Sequence, residues 1–123
     1  MILLGDFYTI KNLTTVDSAV NAELELNASH KIYEGHFPGQ PVTPGVCMMQ
    51  MVKEIIETVL QRETRLVRAS EMKFLLMIIP GENNIINAQI KYSIDENEGI
   101  HVIAALLKDN TTYFKFKGLF SFR

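Results

Sequence analysis

Hydrophobic and polar residues alternate along several short segments of the chain, which is typical of strands with one buried face. The first is SAVNAELELN, residues 18–27, and the second is IINAQIKYSI, residues 85–94. The turn sequence DENEG follows the second, and IHVIAALL, residues 100–107, predicts its antiparallel partner. Another turn, KDNTT, leads into YFKFKGLFSF, residues 113–122. Together these segments predict a large antiparallel sheet.

One further segment is hydrophobic without clear alternation. ASEMKFLLMII, residues 69–79, is closed by Pro80 and Gly81. Continuous hydrophobic runs bounded by turn residues are typical of strands that are covered on both faces. This segment therefore predicts a long, mostly buried strand.

Only one segment has the periodicity of a long helix, and it runs from about Pro44 to Gln61. At roughly 100° per residue, its polar residues collect in one narrow stripe. The stripe consists of Gln50, Lys53, Glu54, Glu57 and Gln61. The remaining arc is hydrophobic, so the sheet should enclose most of the helix. Thr43 is predicted to cap the helix and Pro44 to occupy its first position.

One buried helix against one large antiparallel sheet is an α+β architecture. The chain of 123 residues has the size of one domain, and 47% of its residues are hydrophobic. We therefore predict a single domain over residues 1–123. The number of Ile and Phe residues on the predicted sheet also favours dimerisation.

Composition excludes several classes of protein. A net charge of −2 and a pI near 5.9 argue against a nucleic-acid-binding protein. The single cysteine excludes an internal disulfide and favours a reducing compartment. Neither a secretory signal nor a run of about 20 hydrophobic residues is found, so we predict a cytoplasmic protein without a membrane span.

The segment YEGHFPGQPVTPGV precedes the predicted helix and surrounds one histidine with prolines and glycines. Proline restricts its own φ angle and the residue before it, so the loop should hold His36 in a fixed direction. A helix that begins near Gly45 presents N–H groups and the positive end of its dipole, which favour a developing oxyanion. A base beside such donors suits proton abstraction next to a carbonyl. The alternative is a tight turn whose histidine only hydrogen-bonds the backbone.

The sequence GHFPGQPVTPGV resembles the signature loop of the 3-hydroxyacyl-acyl-carrier-protein dehydratases, Gly-His-Phe-Pro-Gly-x-Pro-(apolar)-x-Pro-Gly-(apolar). The resemblance implies the hotdog fold, a curled antiparallel sheet around one central helix, and at least a dimer with the site between subunits. It implies that His36 is the catalytic base and that the Gly45 N–H polarises the thioester carbonyl. Phe37 and Val46, which also match the pattern, would contact substrate.

The resemblance also implies the reaction. An acyl chain on the phosphopantetheine arm of acyl carrier protein would lose water across C2–C3, giving the trans-2-enoyl thioester. Neither a metal nor a diffusible cofactor would be needed. The setting would be fatty-acid or polyene-type synthesis.

The chain departs from the family pattern on the helix. The family has an acidic residue fourteen positions after the histidine, where this chain has Gln50. Four positions later the family commonly has glutamine, where this chain has Glu54. Glutamine cannot exchange a catalytic proton as a carboxyl can, so Glu54 is the candidate acid, displaced by one turn or about 5.4 Å. The alternative is that Gln50 and Glu54 belong to a solvated polar stripe.

Other candidate residues are predicted to be structural. Cys47 lies on the hydrophobic arc and is expected to be a small core residue. His30 and His101 lack partners at recognisable spacing, and no metal-ligand spacing is found. Lys53 and Glu57 are expected at the surface or in a local ion pair.

Three functions compete on this sequence. The first is an active dehydratase; the second is an impaired hotdog subunit that binds acyl carrier protein or pairs with an active paralogue. The third, which the histidine loop disfavours, is a thioesterase that uses Glu54 to activate water. Acyl carrier proteins are acidic, so the candidate docking residues are Lys53, Arg62, Arg65 and Arg68.

Overall fold

The structure, a computed structural model, describes residues 2–35, 42–81 and 84–123. Its elements in chain order are β1 (Tyr8–Val16), β2 (Ala19–Leu26), α1 (Ile32–Gly35), α2 (Gly45–Leu60), β3 (Thr64–Phe74), β4 (Ile85–Ile94), β5 (Ile100–Lys108) and β6 (Thr111–Phe122). The strands form one six-stranded sheet in the order β1-β2-β4-β5-β6-β3. Every neighbouring pair is antiparallel. The sheet curls around α2, which confirms the α+β architecture predicted from sequence.

The alternating segments form strands at the predicted places. In β2, the side chains of Val20, Ala22, Leu24 and Leu26 are buried, and the polar residues between them are exposed. The register aligns Leu24 of β2 with Ile86 of β4, so the hydrophobic faces of adjacent strands coincide. The inward-facing residues of β4, β5 and β6 continue this core, with Phe114, Phe116 and Phe120 all buried.

Helix α2 has the predicted extent, and it is the main inner layer of the core. Its residues Met51, Val52, Ile55 and Ile56 have no measurable exposure. The predicted cap is wrong: Pro44 occupies the N-cap position, and no side chain in the described part of the chain caps the helix. The Thr43 hydroxyl instead lies 3.0 Å from the Tyr33 hydroxyl. At the other end, Gln61 adopts a left-handed conformation and donates its N–H to the Glu57 carbonyl.

The prediction for residues 69–79 is wrong in both extent and burial. Strand β3 begins at Thr64, ends at Phe74 and forms an edge of the sheet. Its hydrophobic residues are exposed, as are those just after it, with Val67 51% and Met77 66% accessible. A hydrophobic run in sequence predicts burial, and in the single chain Ile78 is buried while Leu75, Leu76 and Met77 are exposed. An exposed hydrophobic edge strand is a template for pairing with another chain.

Strand β1 was not predicted because a bulge interrupts its alternation. The register with β2 shifts between Ile10 and Asn12. Partly buried hydrophobic residues therefore fall at Ile10 and then Leu13, which is an odd spacing that hides the period of two.

Among the residues that the structure describes, no helix combines the length and hydrophobicity needed to cross a membrane.

Gly118 provides a test of the packing between β3 and β6. A methyl group there would lie 2.5 Å from the Arg68 carbonyl oxygen and 2.6 Å from the Phe116 ring. Because the first contact is with backbone, we expect Gly118→Ala to lower the free energy of unfolding by about 1–3 kcal/mol. Urea denaturation followed by circular dichroism measures this change.

Ser121→Ala on the same strand is the control. The Ser121 hydroxyl is buried and has no hydrogen-bond partner among the described residues, so its removal should change stability by less than about 0.5 kcal/mol. Equal stability of Gly118→Ala and the unmodified chain would contradict the packing described here.

Candidate active site

The two ends of the histidine loop are joined by a hydrogen bond. His36 and Phe37 themselves lie outside the described residues, so their predicted roles stay predictions. The Tyr33 and Thr43 hydroxyls, one on each side of this segment, lie 3.0 Å apart, and both side chains are buried. The residues on the two sides of this segment are therefore joined through their side chains.

Further contacts hold both ends of the loop in the core. The Tyr33 ring stacks on Phe7 with a centroid separation of 5.4 Å. Burial raises the pKa of the Tyr33 hydroxyl, so it stays neutral and able to donate. On the other side, the Thr43 N–H donates to the Ile78 carbonyl at 2.9 Å. The loop is thus attached to the N-terminal segment at one end and to the segment after β3 at the other.

The helix N-terminus is partly covered by an aromatic ring. A Cβ atom on Gly45 would lie 2.7 Å from the Phe74 ring, so glycine is what allows this approach. Phe74 is half exposed and stacks on Phe114, with ring centroids 5.1 Å apart. Val46, the next predicted substrate contact, is 65% exposed. Gly45 begins α2, where the first N–H groups have no partner within the helix.

The Glu54 carboxylate lies in the core rather than in a solvated stripe. The residue is 7% exposed and accepts hydrogen bonds on both oxygens. Oε2 accepts from the Leu3 N–H at 2.8 Å and from Gln50 Nε2 at 3.1 Å. Oε1 accepts from the Leu4 N–H at 2.9 Å and from the Tyr8 hydroxyl at 3.0 Å. The solvated alternative is therefore wrong for Glu54.

Gln50 lies one helical turn before Glu54 and is half buried. It borders a groove of about 430 Å³ between α2 and the chain termini. The groove is lined by Ile2, Leu4, Gln50, Lys53, Glu54, Glu57, Thr58, Glu63 and Arg123. The structure brings Gln50 and Glu54 together through their hydrogen bond, and it places Gly45 and Val46 at the start of the same helix.

The other candidate residues have structural surroundings. Cys47 is buried, as predicted, and burial raises the pKa of its thiol. His30 Nδ1 accepts from the Ile32 N–H, so Nε2 donates to the Asp6 carboxylate at 3.0 Å. His101 Nε2 lies 2.8 Å from Asp95, and this contact holds the pKa of the Asp95 carboxyl below its usual value. Within residues 2–35, 42–81 and 84–123 no cluster of metal-binding side chains is present.

Lys53 and Arg68, two of the four basic residues proposed for docking, line different surfaces. Lys53 lines the groove beside α2 and pairs with Glu57 at 3.1 Å. The Arg62 guanidinium lies 3.9 Å from the centre of the Phe122 ring. Arg68 instead lines a groove of about 400 Å³ on the outer face of the sheet, with Lys91 and Lys117.

Sequence reasoning missed three contacts of this region. Tyr8 and Glu54 are 46 positions apart, and no spacing rule connects them. The contact between Phe74 and Gly45 likewise depends on how β3 ends beside α2. The hydrogen bond between Tyr33 and Thr43 could have been suspected from sequence, because one hydroxyl residue lies on each side of the histidine motif.

Comparison with protein families gives a match to a model described as ApeI-like, ApeI dehydratase, over residues 12–115. A curated relative from Ralstonia nicotianae, 3-hydroxyacyl-[acyl-carrier-protein] dehydratase FabZ, is 26% identical over 98 residues. The alignment covers 80% of this chain and 56% of that protein, so the chain spans about half the length of this relative.

Solved structures confirm the hotdog fold. The dehydratase heterocomplex ApeI:P from Xenorhabdus doucetiae has a TM-score of 0.64 and 22% identity, covering 89% of this chain and 95% of that one. An uncharacterised protein from Erwinia carotovora subsp. atroseptica has a TM-score of 0.61 and 21% identity, covering 94% and 92%. A conserved protein from Pseudomonas aeruginosa has a TM-score of 0.63 at 9% identity, covering 91% and 87%.

The approach of Phe74 to Gly45 is tested by a double-mutant cycle. Gly45→Ala should lower stability by about 1 kcal/mol, because its methyl group displaces the Phe74 ring. In a Phe74→Ala background the clash is gone, and alanine should stabilise the helix by up to about 1 kcal/mol. Thermal and urea unfolding of the four proteins give the coupling energy. Equal effects of Gly45→Ala in both backgrounds would show that the ring does not rest on Gly45.

Proposed function

Because the chain belongs to the ApeI-like dehydratase family, we propose that it removes water from a 3-hydroxyacyl thioester to give the trans-2-enoyl thioester. The observation that carries this proposal is the family match over residues 12–115, which includes the whole histidine loop and α2. The carrier of the acyl chain is proposed to be acyl carrier protein, in line with the name of the Ralstonia relative.

The proposed chemistry begins with His36, which removes the proton from C2 of the thioester. Negative charge then develops on the thioester carbonyl oxygen. The Gly45 N–H at the start of α2 is proposed to stabilise that charge, since helix N-termini combine N–H donors with a favourable dipole. Phe37 and Val46 are proposed to contact the acyl chain. No metal or diffusible cofactor takes part in the proposed reaction.

We place the subunit interface at the edge strand β3. The exposed hydrophobic side chains of this edge include Val67 and Phe74, and the hydrophobic run continues through Leu76 and Met77. Pairing this edge with a second hotdog subunit would bury them and satisfy the open backbone groups of the strand. Phe74 would then bring the interface next to Gly45, so the site would lie beside the partner subunit.

A second candidate function is that of a subunit that works only with a paralogue. Two observations favour it: one structural neighbour is a dehydratase heterocomplex, and Gln50 replaces the acidic residue expected on the helix. In this case the same β3 edge would bind the paralogue rather than a second copy.

Turnover of 3-hydroxyacyl carrier protein tests the proposed function. We expect the purified chain to form the enoyl thioester, followed by its absorbance or by mass spectrometry. His36→Ala should lower kcat by about 10²–10⁴-fold, which is the usual contribution of a general base. His101→Ala, which changes an exposed histidine on the sheet, is the matched control and should stay within about twofold.

The outcomes separate the two candidates. Turnover that appears only after mixing with a paralogous hotdog protein would favour the second function. Absence of turnover in both preparations, or full activity of His36→Ala, would overturn the proposal.

The proposed interface is tested by adding charge to the edge. Val67→Lys places a cation on β3, and charged side chains on edge strands oppose pairing. We expect its dimer dissociation constant, measured by sedimentation, to rise at least about tenfold, or about 1.4 kcal/mol. Ile103→Lys makes the same change at an exposed position of the central strand β5 and should leave dimerisation unchanged. A dimer that resists Val67→Lys would place the interface elsewhere.

A further inference from the structure

The carboxylate of Glu54 is fully occupied by donors of its own chain. Two of its hydrogen bonds come from the backbone of the N-terminal segment, one from Tyr8 at the start of β1 and one from Gln50 on α2. An ionised carboxylate offers about four acceptor sites, and here four donors use them. The distances of 2.8–3.1 Å are those of well-formed hydrogen bonds.

All four donors are groups that the chain itself places around Glu54. Tyr8 keeps its proton to donate, because burial first and the nearby Glu54 second raise the pKa of its hydroxyl. A group that meets the departing hydroxyl of a substrate needs an open hydrogen-bonding position, and the chain already uses the four positions of the Glu54 carboxylate.

The same contact fixes the side chain of Gln50. A carboxylate only accepts hydrogen bonds, so the amide nitrogen of Gln50, and not its oxygen, must face Glu54. The orientation of the amide is therefore determined by chemistry. An amide can hydrogen-bond a substrate hydroxyl, and it cannot protonate one.

We propose that Glu54 is a positioning residue, which anchors residues 2–8 across α2 and holds the Gln50 amide as the group that meets the substrate hydroxyl. The part that concerns substrate rests on the proposed dehydratase function. The anchor does not, since it follows from hydrogen bonds within the chain.

The proposal changes the path of the proton. His36 takes the proton from C2, the bond from C3 to the hydroxyl oxygen breaks, and the C2–C3 double bond forms. The departing oxygen needs one proton to leave as water. Because the chain's own donors occupy the Glu54 carboxylate, that proton returns from the His36 imidazolium, and histidine ends the cycle neutral. One group then acts as base and acid in turn.

Hydrogen exchange of the Leu3 and Leu4 amides tests the anchor without any assay of activity. Glu54→Gln places an NH₂ group where one carboxylate oxygen accepted two hydrogen bonds. Leu3 and Leu4 donate to different oxygens, so we expect exchange to rise at least about tenfold at the amide that faces the new NH₂ group. A tenfold rise corresponds to about 1.4 kcal/mol, which is the size of one net hydrogen bond. Glu63→Gln, on an exposed carboxylate that lines the same groove, is the control and should leave exchange unchanged.

The pH dependence of kcat/KM tests the role in the reaction. A base that must be neutral makes kcat/KM fall at low pH, which is the acidic limb of the profile. A separate general acid that must be protonated makes kcat/KM fall at high pH as well, which is the alkaline limb. We expect only the acidic limb in the unmodified chain and in Glu54→Gln. The double variant Gln50→Glu with Glu54→Gln swaps the two side chains. It puts a carboxyl at position 50, fourteen residues after His36, where the family has its acid. It should gain an alkaline limb while one of the Leu3 and Leu4 amides loses protection.

Two results would overturn the proposal. Unchanged exchange at Leu3 and Leu4 in Glu54→Gln would remove the anchor. An alkaline limb that Glu54→Gln abolishes would show that Glu54 is the acid after all. If no preparation turns over substrate, the proposed function fails, and the exchange result still confirms or overturns the anchor.

Discussion

The Glu54 carboxylate is the constraint around which this end of the fold is built. It stands on α2 beside Ile55 and Ile56, which have no exposure. A carboxylate in such a place is costly unless several donors satisfy it. The N-terminal segment supplies them, so residues 2–8 must lie against α2 for the helix to stay in the core. From there Phe7 reaches Tyr33, and the same segment supports the histidine loop.

Alternation was enough to predict β2, β4, β5 and β6, because each has one buried and one exposed face and its register follows from that difference. It failed for β1, where the bulge near Asn12 shifts the period. It also failed for β3. Hydrophobicity there predicts contact with protein, and sequence alone does not say whether that protein is the same chain.

The candidate site was predictable only where a motif is continuous in sequence. The loop and the start of α2 are found from twelve adjacent residues, and the structure places Gly45 at the first turn as expected. Gln50 and Glu54 were correctly placed on one helix face, since they are four residues apart. Their relation to Leu3 and Tyr8 was not accessible, because it depends on how the N-terminus packs on α2. That packing decides which donors occupy the Glu54 carboxylate.

Phe74 connects the proposed interface with the proposed oxyanion donor. It is the last residue of β3, and its ring lies against Gly45 at the first residue of α2. The ring is half exposed in the single chain, so contacts within the chain restrict only one side of it. A subunit paired along β3 would cover the exposed part and restrict the ring. Binding at the edge strand would then set the shape of the site at Gly45, because the two share one side chain.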